Sequence, residues 1–222
     1  MKTPLTKDRL QNHLTYSWWK YALLIIIAAM GWNIIYDMTE YQPPEEKKVI
    51  VGLYGYGTQF NLDDYMLEVQ RLHMPDMEDV SPMDIMADDT YGEMTLMTRM
   101  VAEECDIYIL PLDKFQSWAS QGACQALDVV LPELIADLEE AGISLSRARR
   151  VNTETGEKHV YGIPCRDLPG AQSLLWTDPA DLYVCVYHKT NNDENVLKFL
   201  DIFIHDMLTE PPATPTDLQP QQ

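Results

Sequence analysis

The chain has 222 residues, with 16 Lys+Arg against 35 Asp+Glu and a formal net charge of −19 at pH 7. A field of that sign repels nucleic acid and anionic lipid surfaces, which excludes nucleic-acid binding as an expectation. The four cysteines lie far apart without a C-x-x-C, and with five scattered histidines they give no zinc spacing.

Residues 1–17 carry Lys2, Lys7 and Arg9 against Asp8, and Lys20 follows closely. Residues 18–36 form one apolar run, about 28 Å long as a helix, close to the thickness of a bilayer core. Trp18, Trp19 and Tyr21 stand at one end and Trp32 and Tyr36 at the other, as interfacial anchors do, and Lys20 lies near enough to the end to snorkel. The run is apolar on every face, so a buried soluble helix is the poorer fit. A removable signal peptide is the competing reading. Its only small-residue pair, Ala28-Ala29, lies inside the run, and no A-x-A-like site follows Tyr36. The expectation is a single-pass anchor in membrane lipid, with residues 1–17 cytoplasmic by their Lys/Arg excess and the rest extracytoplasmic.

Residues 37–48, with Pro43 and Pro44, read as a short stiff linker. From Tyr41 onward lie 12 of the 16 Lys+Arg and 32 of the 35 Asp+Glu, a formal −20. An extracytoplasmic setting permits disulfides, but Cys105 abuts a predicted buried strand and Cys185 lies inside one, so buried thiols are an equal expectation.

A single α/β domain is expected over 49–209. Val49 to Tyr54 is a continuous apolar run, as in a strand covered on both faces. It stops at Gly55 and Gly57, and Thr58 or Asn61 could cap a helix to about Leu72. A strand is predicted near Met83–Ala87, a helix over Glu93–Glu104 with Met94, Met97 and Val101 on one face, and a strand at Ile107–Leu110. Asp113 to Gln121 reads as a helix ended by Gly122, and Pro132 and Gly142 bracket another. A mainly parallel sheet flanked by helices follows from this βα order. The second part is richer in β: a hairpin around TETGE, a strand over Leu182–Tyr187, and a last helix with Val196, Leu197, Leu200, Phe203, Ile204 and Met207 as its stripe. Residues 210–222, Glu210 followed by PPATPTDLQPQQ, have no core-forming composition and are expected to be disordered.

The order of motifs resembles the extracellular solute-binding proteins of ABC importers, of the type 2 periplasmic-binding kind. The segment YGEMTLMTRMVAEECDIYILPLDKFQSWASQGACQALD looks like that family's helix, Asp-initiated strand, loop and helix, with Gly122 and Leu127-Asp128 after them. EKHVYGIPC is similar to its crossover strand, and DLYVCVYHKTNNDENVLKFLDIFI to its strand, polar turn and amphipathic helix. The resemblance covers most of Val49–Leu208 and implies a periplasmic-binding-like lobe. In the family the chain leaves after the Tyr-Gly-Ile-Pro strand to build a second lobe. Here only Arg166–Ala180 separates that strand from the next, too short for a lobe with its own core.

Ligands of open α/β sheets sit beyond the carboxyl ends of the strands. Candidate ligand residues there are Tyr56, Gly57, Thr58, Asp88, Asp113 and Phe115. The amides of Gly57 and Thr58 could hold an anion, Tyr56 and Phe115 could stack on a sugar or apolar ligand, and Asp88, Asp89 and Asp113 favour a cation. The plainer reading makes them turn and cap residues. Met94, Met97 and Met100 could suit Cu(I), but that spacing is equally a core helix face, and core packing is the expectation. Arg147, Arg149 and Arg150 read as a solvated helix end.

No catalytic, metal-binding or cofactor-binding set stands out. The leading expectation is a membrane-anchored, non-catalytic accessory or interaction module, with a transporter permease or other membrane protein as possible partner. The alternatives are a true solute receptor and a surface enzyme.

Overall fold

The computed structural model describes residues 7–39, 41, 43–55, 60–87, 90–171, 181–190 and 192–209. The chain divides into two units, residues 1–42 and 43–222.

The first unit contains one long helix, α1 (Lys7–Thr39). Within it Trp18–Tyr36 is long and apolar enough to cross a membrane. Trp18, Trp19, Ile25, Trp32 and Ile35 all expose more than half their surface.

The second unit is built on a five-stranded sheet in the order β2-β1-β3-β7-β6. β1 (Lys48–Gly55), β2 (Asp79–Met86) and β3 (Ile107–Pro111) are parallel, with Lys48 opposite Asp79 and Val51 opposite Ile107. β7 (Leu182–Val186) runs against β3, pairing Ile107 with Val186 and Pro111 with Leu182, and β6 (Ile163–Pro164) is antiparallel to β7. The sheet is thus mostly parallel, with one reversed strand that the βα order did not reveal. β1 is buried along almost its whole length, as a central strand covered on both faces requires. β2 starts four residues earlier than predicted and contains Pro82. As the edge strand it can dispense with one ladder donor.

Helices cover both faces. α2 (Phe60–His73) and α7 (Asp193–Leu208) pack on one side, where the rings of Tyr65 and Phe203 meet edge-to-face at 5.9 Å and the Tyr65 hydroxyl donates to Asp206 Oδ2 at 2.7 Å. α7 buries Val196, Phe199, Leu200, Phe203, Ile204 and Met207; Phe199 takes a core place expected for Leu197, which is only partly buried. The other face carries α3 (Gly92–Val101) and α4 (Leu112–Ser120), with the Tyr108 ring of β3 edge-on to Trp118 at 5.4 Å.

α4 ends where Gly122 adopts φ +76°, which lets the Ala123 amide reach back to the Trp118 carbonyl at 3.0 Å. α3 stops at Val101, three residues short of expectation. There Glu103 takes φ 56°, and the Glu104 amide bonds the Arg99 carbonyl, closing the helix without a glycine.

The short α5 (Leu127–Val130) and α6 (Pro132–Glu140) lead into the hairpin β4 (Arg149–Val151) and β5 (Lys158–Val160). Leu127 is fully buried, and Asp128 clamps the hairpin by accepting from the Val160 amide and meeting His159 Nδ1, both at 3.2 Å. The arginines read as a helix end lie instead on β4 and the turn before it. Arg149 pairs with Glu139 of α6, and Arg147 lies 3.9 Å from Asp181.

All four cysteines are buried and free. Burial pushes the thiols of Cys105 and Cys165 up to about 12.

Candidate functional site

Because β1, β2 and β3 are parallel, their carboxyl ends share one edge of the sheet, and α2, α3 and α4 begin there. β7 runs the other way, so its first residues join the same edge beside Pro111.

Of the six candidate residues, Tyr56, Gly57, Thr58 and Asp88 lie outside the described residues. The remaining two are on α4 and diverge, since positions i and i+2 of a helix do not face each other. Asp113 is exposed in the first turn. Phe115 is fully buried, and its ring stacks on Tyr183 of β7 with centroids 4.8 Å apart and planes 3° from parallel. That ring also fills the space beside Gly162: a Cβ there would come within 2.6 Å of Phe115 Cε2. Phe115 therefore packs the interior of the lobe rather than its edge.

The described edge carries a feature that sequence spacing did not single out. Lys114, in the first turn of α4, is paired with Glu93, in the first turn of α3, at 3.0 Å. The hydrogen bond to Glu93 holds the Lys114 ammonium above its ordinary value. Glu93 is the first residue of one predicted helix and Lys114 the second of another, but nothing in linear spacing says that the two starts are neighbours. The adjacent Gly92 is needed because a Cβ there would lie 2.9 Å from the Tyr54 hydroxyl.

Further along the edge, Arg147 faces Asp181, and burial raises the Tyr183 hydroxyl above its usual value. The Arg150 Nε is buried without a hydrogen-bond partner. Among the described residues, no group of three or more His, Cys, Asp or Glu side chains is close enough to hold a metal ion.

No protein-family model matches the sequence, and no curated protein aligns with it. Solved structures do. The resemblance is to extracellular solute-binding proteins. One is a family 1 solute-binding protein from Alicyclobacillus acidocaldarius, at 15% identity and TM-score 0.35, covering 56% of this chain and 29% of its own. A second is a sugar transporter protein from Rhizobium etli in an open conformation, at 17% identity and TM-score 0.39, covering 53% and 28%. A third is an ABC substrate-binding protein from Listeria monocytogenes in complex with cycloalternan, at 18% identity and TM-score 0.39, covering 52% and 28%. The chain spans less than a third of the length of these solute-binding proteins.

Proposed function

We propose that this chain is a membrane-anchored, extracytoplasmic, solute-binding-like lobe that acts as a non-catalytic accessory or interaction module. One observation carries the reading. Pro164 of β6 lies opposite Tyr183 of β7, so the chain that leaves the sheet at residue 165 is back in it at residue 182. A return that short leaves no length for a second lobe with its own core. With no lobe inserted between β6 and β7, that connection supplies no hinge closure to bury a small ligand. The inward packing of Phe115 removes one of the two rings a sugar would stack on.

The domain limits that go with this reading are a cytoplasmic N-terminus over 1–17, an anchor over 18–36, a linker over 37–48, the lobe over 49–209 and a tail over 210–222. The apolar stretch Trp18–Tyr36 supports the anchor, and the Lys/Arg excess before it supports an N-terminus inside. A permease or another membrane protein is the class of partner that a tethered lobe would meet; nucleic acid is disfavoured by the −19 charge. The other reading is a solute receptor that works from one wall, using the exposed Asp113 and its neighbours. A thermal-shift screen of the full chain against sugars, amino acids, peptides and metal ions separates the two. No stabilisation is expected for the accessory module, whereas a reproducible micromolar shift would favour the receptor.

A further inference from the structure

The face of α3 turned away from the sheet exposes large apolar side chains in line. Spacing along α3 suggests that Met94, Met97 and Val101 are a core stripe. They are instead exposed, at 62%, 51% and 77%, while the helix buries only Gly92 and Leu96. At 1.5 Å per residue the stripe runs about 10 Å, two helical turns. Leaving three large apolar side chains in line on a monomer's surface is unusual unless something covers them. Methionines, flexible and polarisable, suit a surface that must fit a partner's side chains rather than a fixed core.

The charge around the stripe says what fits. Glu93 stands at its start, and Glu103 and Glu104 follow its end, all exposed. Glu93 and Glu104 each also meet a cation of the chain, Lys114 at 3.0 Å and Arg99 at 2.8 Å, so the three flanking carboxylates and these two cations together leave a net negative charge. The whole chain carries −19. An apolar lane with acidic ends disfavours a second, equally acidic copy and an anionic lipid surface. The chain's own 210–222 segment has no Lys or Arg to offer.

We propose that this face is a docking surface for a basic amphipathic helix of a protein partner, its apolar side on Met94, Met97 and Val101 and its Lys/Arg residues against the flanking carboxylates. The inference deepens the accessory reading and rests on it.

The test uses the full chain in phosphatidylcholine nanodiscs, with a fluorescent 18-residue Leu/Lys amphipathic helix as probe and empty nanodiscs as background. Micromolar binding is expected, and at least tenfold loss in Met94→Ser/Met97→Ser, which removes apolar surface without changing charge. Met94→Leu/Met97→Leu should keep the affinity. A Leu/Glu helix with the same apolar face should bind at least tenfold more weakly than the probe. Equal affinity for wild type and the serine variant would overturn the proposal, because general charge would then explain binding. Self-association of the chain, or binding to anionic vesicles, that the serine variant abolishes would also overturn it, in favour of another occupant. A solute hit in the thermal-shift screen would instead remove the accessory reading and leave the peptide result intact, so the two failures are distinguishable.

Discussion

Asp106 and Ile50 hold each other from both directions: the Ile50 amide donates to Asp106 Oδ2 at 3.0 Å, and the Asp106 amide donates to the Ile50 carbonyl at 2.9 Å. Thr190 completes the knot by donating its hydroxyl to Asp106 Oδ1 at 2.7 Å. The aspartate that opens β3 thus ties it to β1 and to the turn before α7, at the sheet edge opposite the candidate ligand edge.

Asp106→Ala should cost about 2–3 kcal/mol, since it leaves the Ile50 amide and the Thr190 hydroxyl without their acceptor. Asp106→Asn should cost less, because its amide oxygen still accepts one of the two bonds. Urea unfolding of both variants checks the order; equal costs would place the effect elsewhere.

Phe115 offers a test of packing against ligand contact. Phe115→Ala should lose about 3–5 kcal/mol, the range for emptying a buried aromatic site. Gly162→Ala should lose about 1–3 kcal/mol by overpacking, because the new Cβ meets Phe115 at 2.6 Å and the Val184 carbonyl at 3.0 Å. Changes under 0.5 kcal/mol in thermal or urea unfolding would contradict this packing.

The buried thiols should be silent in the native protein. With Cys105 and Cys165 pushed up to about 12 and all four cysteines buried and free, an aromatic disulfide reagent at pH 8 should label them slowly. Denaturant should then release four equivalents at once. Fewer than four would reveal a disulfide, and rapid native labelling would reveal an exposed thiol.

His205 predicts a small pH dependence. Its imidazole is raised above 6.5 by the Asp201 carbonyl, which accepts from Nδ1 at 2.8 Å, helped by the Asp201 and Asp137 carboxylates. A raised histidine contributes fully below its unfolded value and loses that contribution as pH climbs through its folded value. With the side chain 45% exposed, solvent screening limits the term to about 0.5 kcal/mol. His205→Gln should therefore flatten the fall of stability just above pH 6.5; an unchanged slope would assign it to another group.

How much of this could be read from the residues depends on whether the cause is local. β1 and β3 are continuous apolar runs, Gly122 and Gly142 end their helices at positive φ, and Pro132 opens α6, so those elements were legible. Strand direction is not a local property, and the reversal of β7 comes from its pairing with β3 and β6. Nor does helical spacing say whether a stripe faces inward. The same periodicity describes the buried face of α7 and the exposed Met94–Val101 lane of α3. Phe115 was misplaced for a related reason: its position after a strand end suggested the edge, while its helical phase turned it toward Tyr183. The Glu93–Lys114 pair joins residues 21 apart in sequence that only the fold brings together.

The most direct measurement is to wash isolated membranes with alkaline carbonate and determine the intact mass of the chain in pellet and supernatant. A full-length chain in the pellet is the expected result, because an uncleaved Trp18–Tyr36 helix cannot leave lipid without detergent. A soluble chain, or one shortened by the length of its apolar N-terminal segment, would contradict a tethered lobe.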